Sequence, residues 1–139
     1  SNPGLELVDL AMIGRICKKH NLVFYVDNCF ATPIVQTPAD FGANLIVHSA
    51  TKFMDGQGRV LGGVLTGTKE LVTPIRFFAR HTGPSMSAFN AWILSKSLET
   101  LELRMERHCS NALKLAEALE QHPDIAKVNF PFLKSHILS

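Results

Sequence analysis

Cysteine is scarce in this chain of 139 residues: Cys17, Cys29 and Cys109 form an odd count with no Cys-x-x-Cys spacing. That pattern argues against a disulfide framework and against a zinc ribbon, so free thiols are expected. The six histidines are scattered, none in a His-Glu-x-x-His or similar spacing, and no metal site is expected. His20, His108 and His122 read as helix-surface or helix-end residues. Charge of one sign is also missing, since 14 Lys and Arg against 12 Asp and Glu leave a formal charge of +2. This is too small and too dispersed for nucleic acid, an acidic partner or a membrane surface. No apolar run approaches the ~20 residues of a membrane span, and the N-terminus has no basic-then-apolar signal pattern. A soluble protein of the cytoplasm is expected. Repeats, charge blocks and low-complexity tracts are absent as well, so no linker is indicated.

What is present is a globular composition, with 46% hydrophobic and 19% charged residues. From about Leu5 to His20, Val8, Met12 and Ile16, together with Ala11, Ile13 and Cys17, recur at helical spacing. Lys18 to His20 place positive charge at the helix C-terminus, and Asn21 is a stop. Leu22 to Val26 form a short apolar run that suits a strand buried on both faces, with Tyr25 in the core and Asp27 at the strand's C-terminal end. A proline-broken segment leads to a second run, Leu45 to Val47, followed by His48-Ser49-Ala50-Thr51-Lys52. Beyond a glycine-rich loop, a third strand is expected over Val60 to Thr66, and a helix over Gly67 to Arg80. From Ser87 a long helical stretch carries Leu98, Leu101, Met105, Cys109, Ala112, Leu115 and Leu119 on one stripe until Pro123 stops it. Ile125 to Phe130 reads as a further strand. The alternation predicts an α/β fold with a largely parallel sheet followed by a long helix.

In open α/β sheets, ligands bind beyond the C-terminal ends of the strands, which directs attention to Asp27 and to Ser49 through Lys52. A lysine there can attack an aldehyde to form a Schiff base. Ser49 and Thr51, two positions apart, can turn their hydroxyls to one side and donate to a phosphate. The Asp27 carboxylate can keep a heterocyclic nitrogen protonated. An aldehyde anchor, a phosphate clamp and a pyridinium partner are the three demands of pyridoxal 5'-phosphate. From the residues alone the alternatives stay open: Lys52 also reads as a solvated surface residue, and Asp27 as a turn cap. The loop from Gly56 to Gly63 is not a dinucleotide fingerprint, because the third glycine that pattern needs falls on Leu61, and no Gly-Lys-Ser/Thr phosphate loop occurs.

The stretch Val26-Asp27-Asn28-Cys29-Phe30-Ala31-Thr32-Pro33, with Gln36, Pro38 and Gly42-Ala43, then His48-Ser49-Ala50-Thr51-Lys52-Phe53, closely resembles the signature of the Cys/Met-metabolism family of pyridoxal-phosphate enzymes. Ser1-Asn2-Pro3, His81 to Pro84, Ser97 to Leu101 and Asn129-Phe130-Pro131 extend the resemblance over essentially the whole chain. It implies the large domain of the fold-type I, aspartate aminotransferase-like transferase fold. Residues 1–122 would be part of the cofactor domain and 123–139 the start of the C-terminal domain, within a protein about three times as long. It further implies that Lys52 carries the cofactor and shuttles protons, that Asp27 pairs with the pyridine nitrogen, that Ser49 and Thr51 bind the phosphate, and that Asn2 contacts the ring's 3′ oxygen. Asn28 and Thr32 would support them, or serve only the turn. The substrate would be a small amino acid and the assembly a homotetramer. The loop Gly56-Gln57-Gly58-Arg59-Val60-Leu61-Gly62-Gly63 resembles the sulfhydrylase branch, which builds homocysteine from an activated homoserine and sulfide. γ-Synthases and γ-lyases of the same family are the alternatives, and a cofactor-free α/β interaction fragment is the non-enzymatic one. The family places a ring-stacking tyrosine, a carboxylate-binding arginine and residues of a neighbouring subunit outside this stretch, so these 139 residues alone are expected to be inactive.

Overall fold

The computed structural model describes residues 4–136, and its sheet is organised around Asn44. The Asn44 side chain accepts the Phe24 N–H at 2.8 Å, its own N–H donates to the Phe24 carbonyl at 2.8 Å, and its carbonyl accepts from Thr68 N–H at 3.1 Å. One residue thereby aligns the ends of three strands, β1 (Tyr25–Asp27), β2 (Leu45–Ser49) and β3 (Gly63–Gly67), in the order β1-β2-β3. β1 runs parallel to β2 with Asp27 opposite Val47, and β3 runs antiparallel to β2 with Gly63 opposite Ser49. The sheet is therefore mixed where a largely parallel one was expected. The reason lies in the connection: residues 50–62 hold a single turn and a loop, with no crossover helix to return the chain for parallel pairing.

The first strand is also shorter and less buried than its apolar run suggests. Phe24 and Val26 are buried, but the alternate residues Val23 and Tyr25 are exposed, so only one face of this stretch is covered. Tyr25, expected in the core, is 53% exposed.

α1 (Leu10–Lys19) starts later than the apolar spacing predicts, and Leu5, with a left-handed φ of 57°, lies outside it. The helix ends as expected. Asn21 takes φ 52° and Leu22 N–H reaches back to the Cys17 carbonyl at 2.8 Å, a Schellman-type closure with Lys18 and Lys19 in the last turn. Gly14 lets α1 lie directly on the 3-10 turn Pro38–Phe41, since a Cβ there would stand 2.0 Å from the Phe41 carbonyl oxygen.

A four-residue helix, α2 (Thr32–Val35), follows β1, and α3 (Lys69–Thr82) follows β3. The long helical stretch is two helices, α4 (Ala88–Leu98) and α5 (Leu101–Glu120). Ser87 caps the first by accepting Asn90 N–H at 3.1 Å. The break comes at Thr100, whose N–H and hydroxyl both turn to the Ser97 carbonyl at 3.3 Å and take it out of the helical ladder. Of the expected stripe, Leu101 and Met105 are buried, whereas Leu98 and Leu115 are exposed and Ala116 is buried in their place. The expected strand at Ile125 to Phe130 is irregular backbone.

The chain divides into two compact units. One is Leu10–Glu102, which contains the whole sheet. In the other, Asn129 Nδ2 donates to the Gly4 carbonyl at 2.8 Å and the Ser135 hydroxyl bonds Glu120. No helix among the described residues is long and apolar enough to cross a membrane.

Candidate active site

Parallel pairing brings the C-terminal ends of β1 and β2 to the same edge, and the last residues of these strands are Asp27 and Ser49. This is the edge at which open α/β sheets bind ligands. Asp27 is exposed and Ser49 half-buried. The chain then winds into a π-type turn, Ala50–Met54, that is broken at Lys52 by φ −82° and ψ −126°. Ala50 and Met54 are buried and anchor the turn, while Lys52 between them is exposed. The Gly56 N–H donates to the Lys52 carbonyl at 2.9 Å, and Asp55 N–H to the Ala50 carbonyl at 3.0 Å.

Thr51 ties this turn to the start of β3. Its hydroxyl oxygen accepts Gly62 N–H at 3.1 Å, and the Ala50 N–H donates to the Gly62 carbonyl at 2.8 Å. The Thr51 Oγ1 lies 3.5 Å from the Gly62 carbonyl oxygen, a distance at which its proton is still available to a better acceptor. Asn2 lies outside the described residues.

Cys29 sits in the middle of the site and was not singled out by the sequence. Its Sγ accepts the Ser49 N–H at 2.7 Å, and Cys29 N–H donates to the Asp27 carboxylate at 3.1 Å. Burial pushes its thiol up, as do a hydrogen bond to Asp27 and the Asp27 charge; the Ser49 N–H and the Lys52 charge pull the other way. The acid and the amine thus act on this one thiol with opposite sign. Its position two residues beyond a strand-end carboxylate was the available signal.

Behind this edge, Asn28 closes a hydrogen-bonded ring. Its amide donates to the carbonyls of Thr32 at 3.1 Å and Gln36 at 2.9 Å, and its Oδ1 accepts from Gln36 Nε2 at 2.8 Å. Thr32 is fully buried with φ 59°, a strained conformation for a β-branched residue, and its hydroxyl accepts Ile34 N–H at 3.3 Å. Both residues hold together the loop that leaves β1 after Asp27, the turn role that is one of the two readings open for them. His48, on the opposite side of β2 from Ser49, is 7% exposed, and its Nδ1 has no hydrogen-bond partner. Burial pulls its pKa down, against the Asn28 carbonyl and the Asp27 charge.

Nothing in the sequence singles out Asp55, and Arg59 stands there only as one residue of the Gly56–Gly63 loop that resembles the sulfhydrylase branch. Asp55 is buried, which by itself would raise its carboxyl; the Arg59 N–H and guanidinium outweigh burial and hold it below the ordinary carboxylate value.

The donor set fits pyridoxal phosphate by its chemistry: a primary amine free to reach an aldehyde, a carboxylate for a protonated ring nitrogen, and hydroxyls for a phosphate. Among the described residues no group of three His, Cys, Asp or Glu side chains could hold a metal.

Comparison with known proteins agrees with this geometry. The family model described as Cys/Met metabolism PLP-dependent enzyme matches residues 1–138. The chain is 48% identical over 136 residues to the O-succinylhomoserine sulfhydrylase of Pseudomonas aeruginosa, covering 98% of this chain and 34% of that protein. It is 41% identical over 138 residues to a cystathionine beta-lyase of Coxiella burnetii, covering 98% of this chain and 36% of that one. The crystal structure of cystathionine gamma-lyase from Lactobacillus plantarum, complexed with L-serine, superposes with a TM-score of 0.94 at 33% identity, over 99% of this chain and 36% of that structure. The chain thus spans about a third of the length of the curated relatives it matches. An exposed lysine on a broken turn, an acid at the neighbouring strand end and a family match along the chain lead to one conclusion: the chain belongs to the Cys/Met metabolism family of pyridoxal-phosphate-dependent enzymes, with the fold-type I architecture.

Proposed function

We propose that the whole protein carrying these residues replaces the γ-substituent of an activated homoserine ester with a sulfur nucleophile, giving homocysteine, as an O-succinylhomoserine sulfhydrylase does. The observation that supports the chemistry is the meeting of Asp27 and Ser49 at one sheet edge, with Lys52 exposed on the turn that follows Ser49. The choice of branch rests on the loop from Gly56 to Gly63 and is supported by the 48% identity to a sulfhydrylase.

Bound pyridoxal phosphate supplies the electron sink that makes proton removal from the substrate's α and β carbons feasible. The residues of this chain do the rest. Lys52 would hold the cofactor through its amine, and the same amine would take and return protons at those carbons. Asp27 holds a proton on the ring nitrogen by pairing with its charge. The Ser49 hydroxyl and the Thr51 proton donate to the phosphate, with Thr51 held in place by Gly62. Asn2 completes the set at the ring's 3′ oxygen. Residues 1–122 belong to the cofactor domain and 123–139 open the C-terminal one, so the activity resides in the whole protein, and these 139 residues alone do not turn over.

Assays of the whole protein with O-succinyl- or O-acetylhomoserine plus sulfide, against cystathionine and methionine alone, test this function. Homocysteine formed from an ester and sulfide is the expected result. Cleavage of cystathionine or methionine without use of the esters would assign a lyase instead.

A further inference from the structure

Lys52 lies at a break in its turn, with φ −82° and ψ −126°, so no continuous helical ladder fixes the direction in which its side chain leaves the backbone. Something else must hold that turn. On one side Thr51 and Ala50 are bonded to Gly62. On the other stands Asp55, three residues after the lysine, whose side chain is fully buried. Its carboxylate accepts the Arg59 backbone N–H at 2.6 Å, Arg59 Nε at 3.1 Å, Arg59 Nη2 at 2.9 Å and the Ser97 hydroxyl at 3.2 Å. The same Nη2 donates to Ser97 Oγ at 2.8 Å, and Ser97 Oγ lies 2.8 Å from the Ile93 carbonyl one turn earlier in α4. The guanidinium thus closes a three-membered clamp that fastens the end of the lysine turn to the interior of a helix.

The arrangement is more than a surface ion pair. An exposed i,i+4 pair contributes little to stability and orients nothing. Here the acid has no exposed side-chain surface, and both carboxylate oxygens are used: Oδ1 takes two guanidinium nitrogens and Oδ2 the Arg59 backbone N–H. The Asp55 N–H also closes the turn onto the Ala50 carbonyl, so the same residue fixes the turn by its backbone and anchors it by its side chain.

We infer that Asp55, Arg59 and Ser97 act together as positioning residues that set the direction of Lys52 toward the cofactor. The inference rests on Lys52 being the cofactor-bearing lysine. None of the three is required to touch the cofactor. They act through the turn, and their loss shows as a changed environment of the lysine nitrogen in a protein that is still folded.

The test uses the whole protein loaded with pyridoxal phosphate. Borohydride fixation and peptide mass spectrometry first locate the labelled lysine. Wild type, Ser97→Ala, Arg59→Lys and Arg59→Met are then compared by far-UV circular dichroism and by the pH midpoint of the visible band near ~420 nm that reports the lysine-bound cofactor. The expected result is an upward shift of the midpoint by about one pH unit in Arg59→Met, toward the behaviour of an unconstrained amine, with partial rescue by lysine and a smaller shift of the same sign in Ser97→Ala. A folded Arg59→Met protein with the wild-type midpoint overturns the inference. If Arg59→Met does not fold, Ser97→Ala decides, since it removes only one hydroxyl: an upward shift supports the clamp and an unchanged midpoint overturns it. Labelling of a lysine other than Lys52 in the wild type overturns the underlying assignment instead.

Discussion

The backbone N–H of Ser49 points at the sulfur of Cys29 at 2.7 Å, and this contact joins the end of β2 to the loop that leaves β1. The two strand ends that carry the candidate cofactor groups are therefore stitched by a thiol. Because burial and Asp27 together raise the Cys29 pKa, the thiol stays protonated at neutral pH and reacts slowly with alkylating agents. We expect the pH midpoint for alkylation of Cys29 to lie above the ordinary thiol value of ~8.5. Site-resolved mass spectrometry of iodoacetamide labelling across pH 7 to 10 is the measurement. Saturating pyridoxal phosphate should slow the reaction further, since it would occupy the space that the thiol faces.

Asn28 is a second point of failure. Replacing it with alanine leaves the carbonyls of Thr32 and Gln36 and the Gln36 amide without the partners they have in the native ring. Unsatisfied buried groups cost about 1–3 kcal/mol each, less where water enters, so a loss of about 2–4 kcal/mol is expected for Asn28→Ala. Chemical denaturation of the whole protein checks it. Gln36→Ala should cost less, because it leaves both Asn28 amide protons bonded to main-chain carbonyls.

His48 predicts an acid limb of stability. Its folded pKa is lowered, mainly by burial, so the unfolded chain binds the proton more readily than the folded one. The contribution is fully present above the unfolded value of ~6.5 and is lost as pH falls through the folded value below it. Melting temperatures of wild type between pH 5 and 8 should drop on the acid side, and His48→Gln should flatten that part of the curve.

At Gly67 the end of β3 passes close to Asn44, the residue before β2. A Cβ at this position would stand 2.3 Å from the Asn44 carbonyl oxygen, the same oxygen that accepts Thr68 N–H. Gly67→Ala must push β3 away from the residue that aligns the sheet, and a cost of about 1–3 kcal/mol is expected, read as a lowered melting temperature.

The candidate site residues are legible because their signals are local. Asp27 and Ser49 each close a short apolar run, and the rule that ligands gather at strand ends needs no tertiary knowledge beyond those runs. The helix stop at Asn21 was visible for the same reason, since a left-handed cap is a property of one residue. The antiparallel pairing of β3 was not legible, because it depends on what the 50–62 connection lacks rather than on the strand's own residues. Tyr25 was misjudged because the strand signal does not say which faces the rest of the protein covers. The division of the long helical stretch turned on one carbonyl, that of Ser97, which Thr100 claims twice. Asp55 and Arg59 carry the spacing of an ordinary surface pair, and only burial reveals that they clamp the lysine turn.

The central claim is that Lys52 carries the cofactor, and one measurement bears on it most directly. The whole protein is incubated with pyridoxal phosphate, reduced with borohydride, digested and mapped by mass spectrometry. The account predicts one stoichiometric pyridoxyl adduct, on Lys52, absent from Lys52→Ala, whose band near ~420 nm is also gone. Stoichiometric adduct on a different lysine, or an unchanged band in Lys52→Ala, would contradict it.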